Sequence, residues 1–151
     1  MRQQFAEVEW LNLVRLPVVV FQAVALADGK ADSGEQTCFL EYVQRTTHVD
    51  PLLKQLCYVL AEQGKDVLQL SERETDFRTY LEEMRRVLEN RLSPQERRSF
   101  LAGLLCLGHH VAGASGGFWG LGNRVSAVES ARLEEISAIF DLAKLLDQVD
   151  P

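Results

Sequence analysis

"ADGKADSGEQ", Ala27 to Gln36, packs three carboxylates and two glycines into ten residues directly after the most hydrophobic run of the chain. Two readings meet here, a site for a hard cation and a corner between two helices. On the corner reading Gly29 turns the chain with positive φ and Ala31 tucks inward. Asp32 then accepts the backbone N–H three residues on, while Glu35 reaches back to the N–H of Asp32, the reciprocal arrangement of a capping box. Every residue of the stretch except Asp28 is accounted for in this way.

The same grammar recurs. Lys30-Ala31-Asp32-Ser33-Gly34-Glu35, Gln69-Leu70-Ser71-Glu72-Arg73-Glu74, Arg91-Leu92-Ser93-Pro94-Gln95-Glu96 and Arg124-Val125-Ser126-Ala127-Val128-Glu129 all read polar, apolar, cap, two spacers, Glu. Asp32, Ser71, Ser93 and Ser126 are the expected caps, and Glu35, Glu74, Glu96 and Glu129 their partners. Between these starts apolar residues recur at three and four positions almost everywhere, the period of helices with one buried face.

The expected architecture is therefore all-α, a bundle of about seven helices over 5–15, 17–28, 33–46, 51–63, 72–91, 94–112 and 127–148. Asp50-Pro51 and Ser93-Pro94 each place a capping side chain before a first-turn proline and give the sharpest starts. Pro17 is read as a first-turn residue, with a kink inside one longer helix as the alternative. In the fifth helix Phe77, Tyr80, Leu81, Met84, Val87 and Leu88 line one face, and Glu74–Arg78 and Glu82–Arg86 are favourably oriented i,i+4 pairs.

Composition agrees with one globular domain over 1–151: 46% of residues are hydrophobic, 25% charged and only four are proline. Sixteen Lys plus Arg against 22 Asp plus Glu give a net charge of −6, which disfavours nucleic acid and anionic lipid as partners. The longest apolar stretch, Leu16 to Ala27, contains Pro17 and Gln22 and falls short of the roughly 20 residues of a membrane span, so it is expected to be a core helix. Met1 to Glu9 lacks a cleavable signal pattern, which makes the cytoplasm the expected location. Cys38, Cys57 and Cys106 are odd in number and widely spaced, and are expected as buried, reduced thiols.

With Ala27-Asp28-Gly29-Lys30-Ala31-Asp32-Ser33-Gly34-Glu35 in hand, the chain resembles the TerB-like family of bacterial tellurite-resistance proteins. Their signature is an apolar helix ending in Ala-Asp-Gly, then a small or apolar residue, a cap and a Glu three positions later. The resemblance implies a compact all-helical domain of about this length with a second related corner, here 116–129. It also implies a part in tellurite and chemical-stress resistance, and a metal-linked role for the acidic corner of Asp28, Asp32 and Glu35. At the second corner Gly122 and Asn123 stand where Asp and Gly would be, which leaves one acidic corner.

Three carboxylates are few for calcium, which takes six or more oxygens, so a divalent cation at Asp28, Asp32 and Glu35 would be weakly held or completed by a partner. Cys106, His109 and His110 fall within one helical turn, with His48 elsewhere, but lack the paired spacing of zinc ligands. "GASGGFWGLG", 113–122, lacks the Lys-Ser/Thr of a phosphate-binding loop. It reads as a link between helices in which Phe118 or Trp119 either anchors on the core or offers a partner surface. Arg85-Arg86 and Arg97-Arg98 stand among glutamates and read as a solvated face.

The sequence nominates no nucleophile with its base, because such triads are set by geometry and not by adjacency in the chain. The expectation is a non-catalytic interaction or sensing module in a bacterial stress response, working through another protein of that system and responsive to a cation through the acidic corner. The alternatives are a purely structural adaptor without metal and an enzyme, such as a hydrolase, with scattered active-site residues.

Overall fold

Local capping chemistry sets most of the helix starts. A computed structural model describes residues 1–27, 29, 31–45, 50–69, 76–114 and 125–149. These residues form seven α-helices: α1 (Glu7–Ala25), α2 (Ser33–Gln44), α3 (Pro51–Ala61), α4 (Phe77–Arg91), α5 (Pro94–Ala112), α6 (Ala127–Ile139) and α7 (Leu142–Val149). Short 3-10 turns cover Arg2–Gln4 and Gly64–Gln69, and no strand occurs among the described residues.

The helices α2, α3, α5 and α6 begin where the sequence places them, capped by Asp32, Asp50, Ser93 and Ser126. In contrast, α4 begins at Phe77 under Asp76, whose Oδ1 accepts the N–H groups of Arg78 and Thr79 at 3.1 and 3.3 Å. The expected Ser71–Glu74 box and the Glu74–Arg78 pair lie outside the described residues. At their ends α2 and α3 each stop two residues before the expected limit.

Two expectations fail in compensating ways. The helices expected over 5–15 and 17–28 are one helix, α1, with Pro17 inside it. Proline there removes an N–H and crowds the carbonyl of residue 13. Burial outweighs that penalty, because eleven residues of α1, Pro17 among them, are in the interior. Tyr80 Oη also donates to the Asn12 carbonyl at 2.5 Å, within the turn that proline disturbs. As a single helix of 19 residues α1 is long and apolar enough to cross a membrane by length and composition, and 61% of its most apolar window is buried within the bundle.

The helix expected over 127–148 is divided instead, at Phe140 and Asp141. Asp141 takes φ +53°, a left-handed conformation that Asp tolerates better than most side chains. Arg85 holds the break from α4: its Nη1 donates to the Ile139 carbonyl at 3.1 Å and its Nη2 to Asp141 Oδ2 at 3.3 Å. Buried Phe140 fills the inside of the corner.

Helix α1 packs on α3, α4, α5 and α6, and α5 packs on every other helix, so these two form the centre of the bundle. The expected face of α4 is found there: Tyr80, Leu81, Met84 and Leu88 are buried, with Phe77 and Val87 packed at the edge. Where α5 crosses α6 the side chain is absent, at Gly108. A Cβ there would stand 2.5 Å from Leu133 Cδ2 and 3.7 Å from both Val20 and Val24. Gly108→Val should therefore cost about 1–3 kcal/mol through overpacking, measured as a shift of the urea midpoint at constant slope. An unchanged midpoint would mean that Leu133 swings aside freely.

All three cysteines are free, but only Cys57 is buried as expected; Cys38 is half-buried and Cys106 exposed. Burial pushes the Cys57 thiol up to about 12, and that of Cys38 upward as well. Neither is a ready thiolate near neutrality.

Candidate functional site

The acidic corner is built as its residue types dictate. Gly29 takes φ +115°. Asp32 Oδ1 accepts the Glu35 N–H at 2.8 Å, and Glu35 Oε2 accepts the Asp32 N–H at 2.7 Å. The Glu35 side chain is buried, and the first turn of α2 lies against the end of α5, where a Cβ on Gly34 would meet the Ala114 carbonyl at 3.4 Å. Capping thus accounts for Asp32 and Glu35. Asp28 lies outside the described residues, and among those described no three His, Cys, Asp or Glu side chains converge as metal ligands would.

The corner at α6 has the same construction. Glu129 Oε2 accepts the Ser126 N–H at 2.8 Å, Ser126 Oγ accepts the Glu129 N–H at 3.2 Å, and Glu129 is fully buried. At α5 the Ser93–Glu96 box has the same bonds on an exposed surface. Glu9 supplies half of a further box, its Oε2 accepting the Ala6 N–H at 2.7 Å. Arg91 beside Glu9 holds its carboxyl below the usual range.

Phe118 and Trp119, expected to anchor a link or meet a partner, lie outside the described residues, as does His48. Cys106, His109 and His110 are exposed on α5. His110 Nε2 is 3.1 Å from Arg45 Nη2 and its ring 6.0 Å from that of Tyr42, which accounts for it without a metal.

The basic pairs are not simply a solvated face. Arg85 bonds Glu89 at 2.8 Å besides holding the α6–α7 break, and Arg97 is mostly enclosed, 3.7 Å from Glu89. These groups edge two polar clefts, of about 680 and 230 Å³, on the α4–α6 and α5–α7 side. Arg85 pairs there with Glu89 and Asp141, and Glu135 with Arg78 and Arg132, whereas the expected Glu82–Arg86 pair is not formed.

A groove of different character, about 640 Å³, runs between the N-terminal turn, the end of α2 and the outer face of α3. Its floor includes Trp10 and Val43, both buried, and half-buried Val59. One wall is the stripe Pro51, Lys54, Gln55 and Tyr58, spaced i, i+3, i+4, i+7 along α3, with Tyr58 67% exposed. The charged groups on its lining are all cations: Arg2, whose guanidinium lies 5.8 Å from the Trp10 ring, Arg45, 5.8 Å from the Tyr42 ring, and Lys54. None of the three makes an ion pair with a carboxylate among the described residues. Acids outnumber bases in this chain, so a lining with no Asp or Glu is a local reversal of its charge.

The groove has no contiguous signature in the sequence, because its three walls come from separate segments. The stripe on α3 was the one available signal, a tyrosine and two long polar residues at helical spacing.

No family model, curated protein or solved structure matches the chain.

Proposed function

We propose that this chain is a non-catalytic interaction module that docks a partner protein through the groove along α3. The observation that carries the reading is the groove itself: an open, largely apolar trough with an exposed aromatic on its rim and no His, Cys, Ser, Thr, Asp or Glu among the described residues of its lining. Apolar grooves beside a helix commonly take an amphipathic helix from a partner. An enzyme would instead need titratable groups converging on an enclosed pocket. In the polar clefts Arg85, Glu89, Asp141 and Glu135 are held in ion pairs, and burial keeps the Cys57 and Cys38 thiols protonated. The resemblance of the corner at Asp28–Glu35 to the TerB-like signature supports placing the module in a bacterial stress response.

A fluorescein-labelled helical peptide of about 14 residues, leucines at i, i+3, i+4 and i+7 and glutamines elsewhere, tests the docking by anisotropy. Saturable binding is expected, weakened at least about tenfold by Tyr58→Ala, as truncation of an exposed aromatic anchor should produce. Binding indifferent to Tyr58 would place the interaction elsewhere.

A further inference from the structure

We infer that the partner segment seated in this groove is an acidic amphipathic helix, its apolar stripe on Trp10, Val43 and Tyr58 and its flanking carboxylates facing Arg2, Arg45 and Lys54. The inference rests on the docking reading above and adds the chemistry of the occupant. Two observations carry it.

The first is shape. The groove follows α3 from Pro51 to Ala61, about 16 Å of helix, and presents to it a ridge at i, i+3, i+4 and i+7. Side chains so spaced form the ridge between whose neighbours another helix packs. A partner of about three turns would match that length.

The second is charge. Arg2, Arg45 and Lys54 are exposed at the rim of an apolar floor and have no carboxylate partner among the described residues. Elsewhere on this surface several arginines are answered, Arg91 by Glu9, Arg78 and Arg132 by Glu135, and Arg85 by Glu89, while Arg86, with no carboxylate partner among the described residues, stands beside a polar cleft rather than an apolar floor. Three cations with no carboxylate partner among the described residues, set around one apolar trough, select for carboxylates on the flanks of an incoming helix and repel a basic one. The opposed net charge of the whole chain, −6, makes the selection local to the groove.

The test compares three helical peptides with the same leucine stripe, flanked by glutamate, glutamine or lysine, against the intact chain and against Arg2→Glu/Lys54→Glu. Both substituted side chains are exposed, and thermal unfolding verifies that the variant folds. The glutamate peptide is expected to bind at least about tenfold more tightly than the lysine peptide at low salt, the margin shrinking as salt rises. In the double variant that order should reverse, while Tyr58→Ala should weaken every peptide alike.

Binding that ignores flanking charge, or a preference the double variant leaves intact, would overturn the acidic partner and leave the docking reading standing. Failure of all three peptides to bind would overturn both. Self-association abolished by Tyr58→Ala in sedimentation, with no peptide affinity, would assign the groove to a second copy of the chain and likewise overturn the inference. Insertion of decanoate with no effect of peptide would assign it to a small amphiphile, with the same consequence.

Discussion

Phe39→Ala should lower the free energy of unfolding by about 3–5 kcal/mol, a large share of the roughly 5–15 kcal/mol that holds a domain of this kind together. Phe39 is fully buried and its ring stacks on that of Phe21 at 4.5 Å between centroids and 19° between planes. That pair joins α2 to α1, the helix around which the bundle is assembled. The truncation removes a ring that neighbours on separate helices surround, so the hole cannot collapse cheaply. Phe39 also stands one turn beyond Glu35, so it fixes the face that α2 turns inward and thereby buries the capping carboxyl. Urea unfolding at unchanged slope would measure the loss. A value below about 1.5 kcal/mol would show that α2 repacks, as a volume-conserving substitution does, and that Phe39 does not anchor the corner.

How much of this was legible beforehand follows from where each determinant sits. A helix start is written within four residues, so Asp32, Asp50, Ser93 and Ser126 could be assigned as caps from the sequence, and α5 was bounded at both ends. Its end at Ala112 is followed by glycine, a local stop. The division between α6 and α7 has no local signal: it depends on Arg85, more than fifty residues earlier in the chain, reaching the Ile139 carbonyl. Pro17 shows the opposite case, a strong local stop overridden by burial on both sides. The charges of the acidic corner are adjacent in sequence, yet Asp32 and Glu35 bond to each other's backbone. The groove is not legible in the sequence, because Arg2, Arg45 and Lys54 come to line one trough only when three segments meet. Local chemistry marks where elements begin, whereas sites assembled across elements require the packing.

Glu129→Ala should cost about 2–4 kcal/mol, against at most about 1 kcal/mol for Glu96→Ala, although the two side chains make the same backbone bond. Both accept the N–H of the capping serine at 2.8 Å. The difference lies in what surrounds the carboxyl. Glu96 stands at the surface, so water takes over the Ser93 N–H once the side chain is cut back. Glu129 is fully buried at the foot of α6, beside a Ser126 N–H that is itself partly shielded. Truncation there leaves a donor short of its acceptor, at about 1–3 kcal/mol, and forfeits the packing of a methylene, at about 0.8 kcal/mol. Glu129→Gln retains a carbonyl oxygen for Ser126 and should fall between the two. Equal losses for Glu129→Ala and Glu96→Ala would mean that burial adds nothing to the box. The expected inequality would instead explain why the corners of α2 and α6 bury a glutamate at all: each carboxyl locks a helix start to the interior of the bundle, a role that needs no cation.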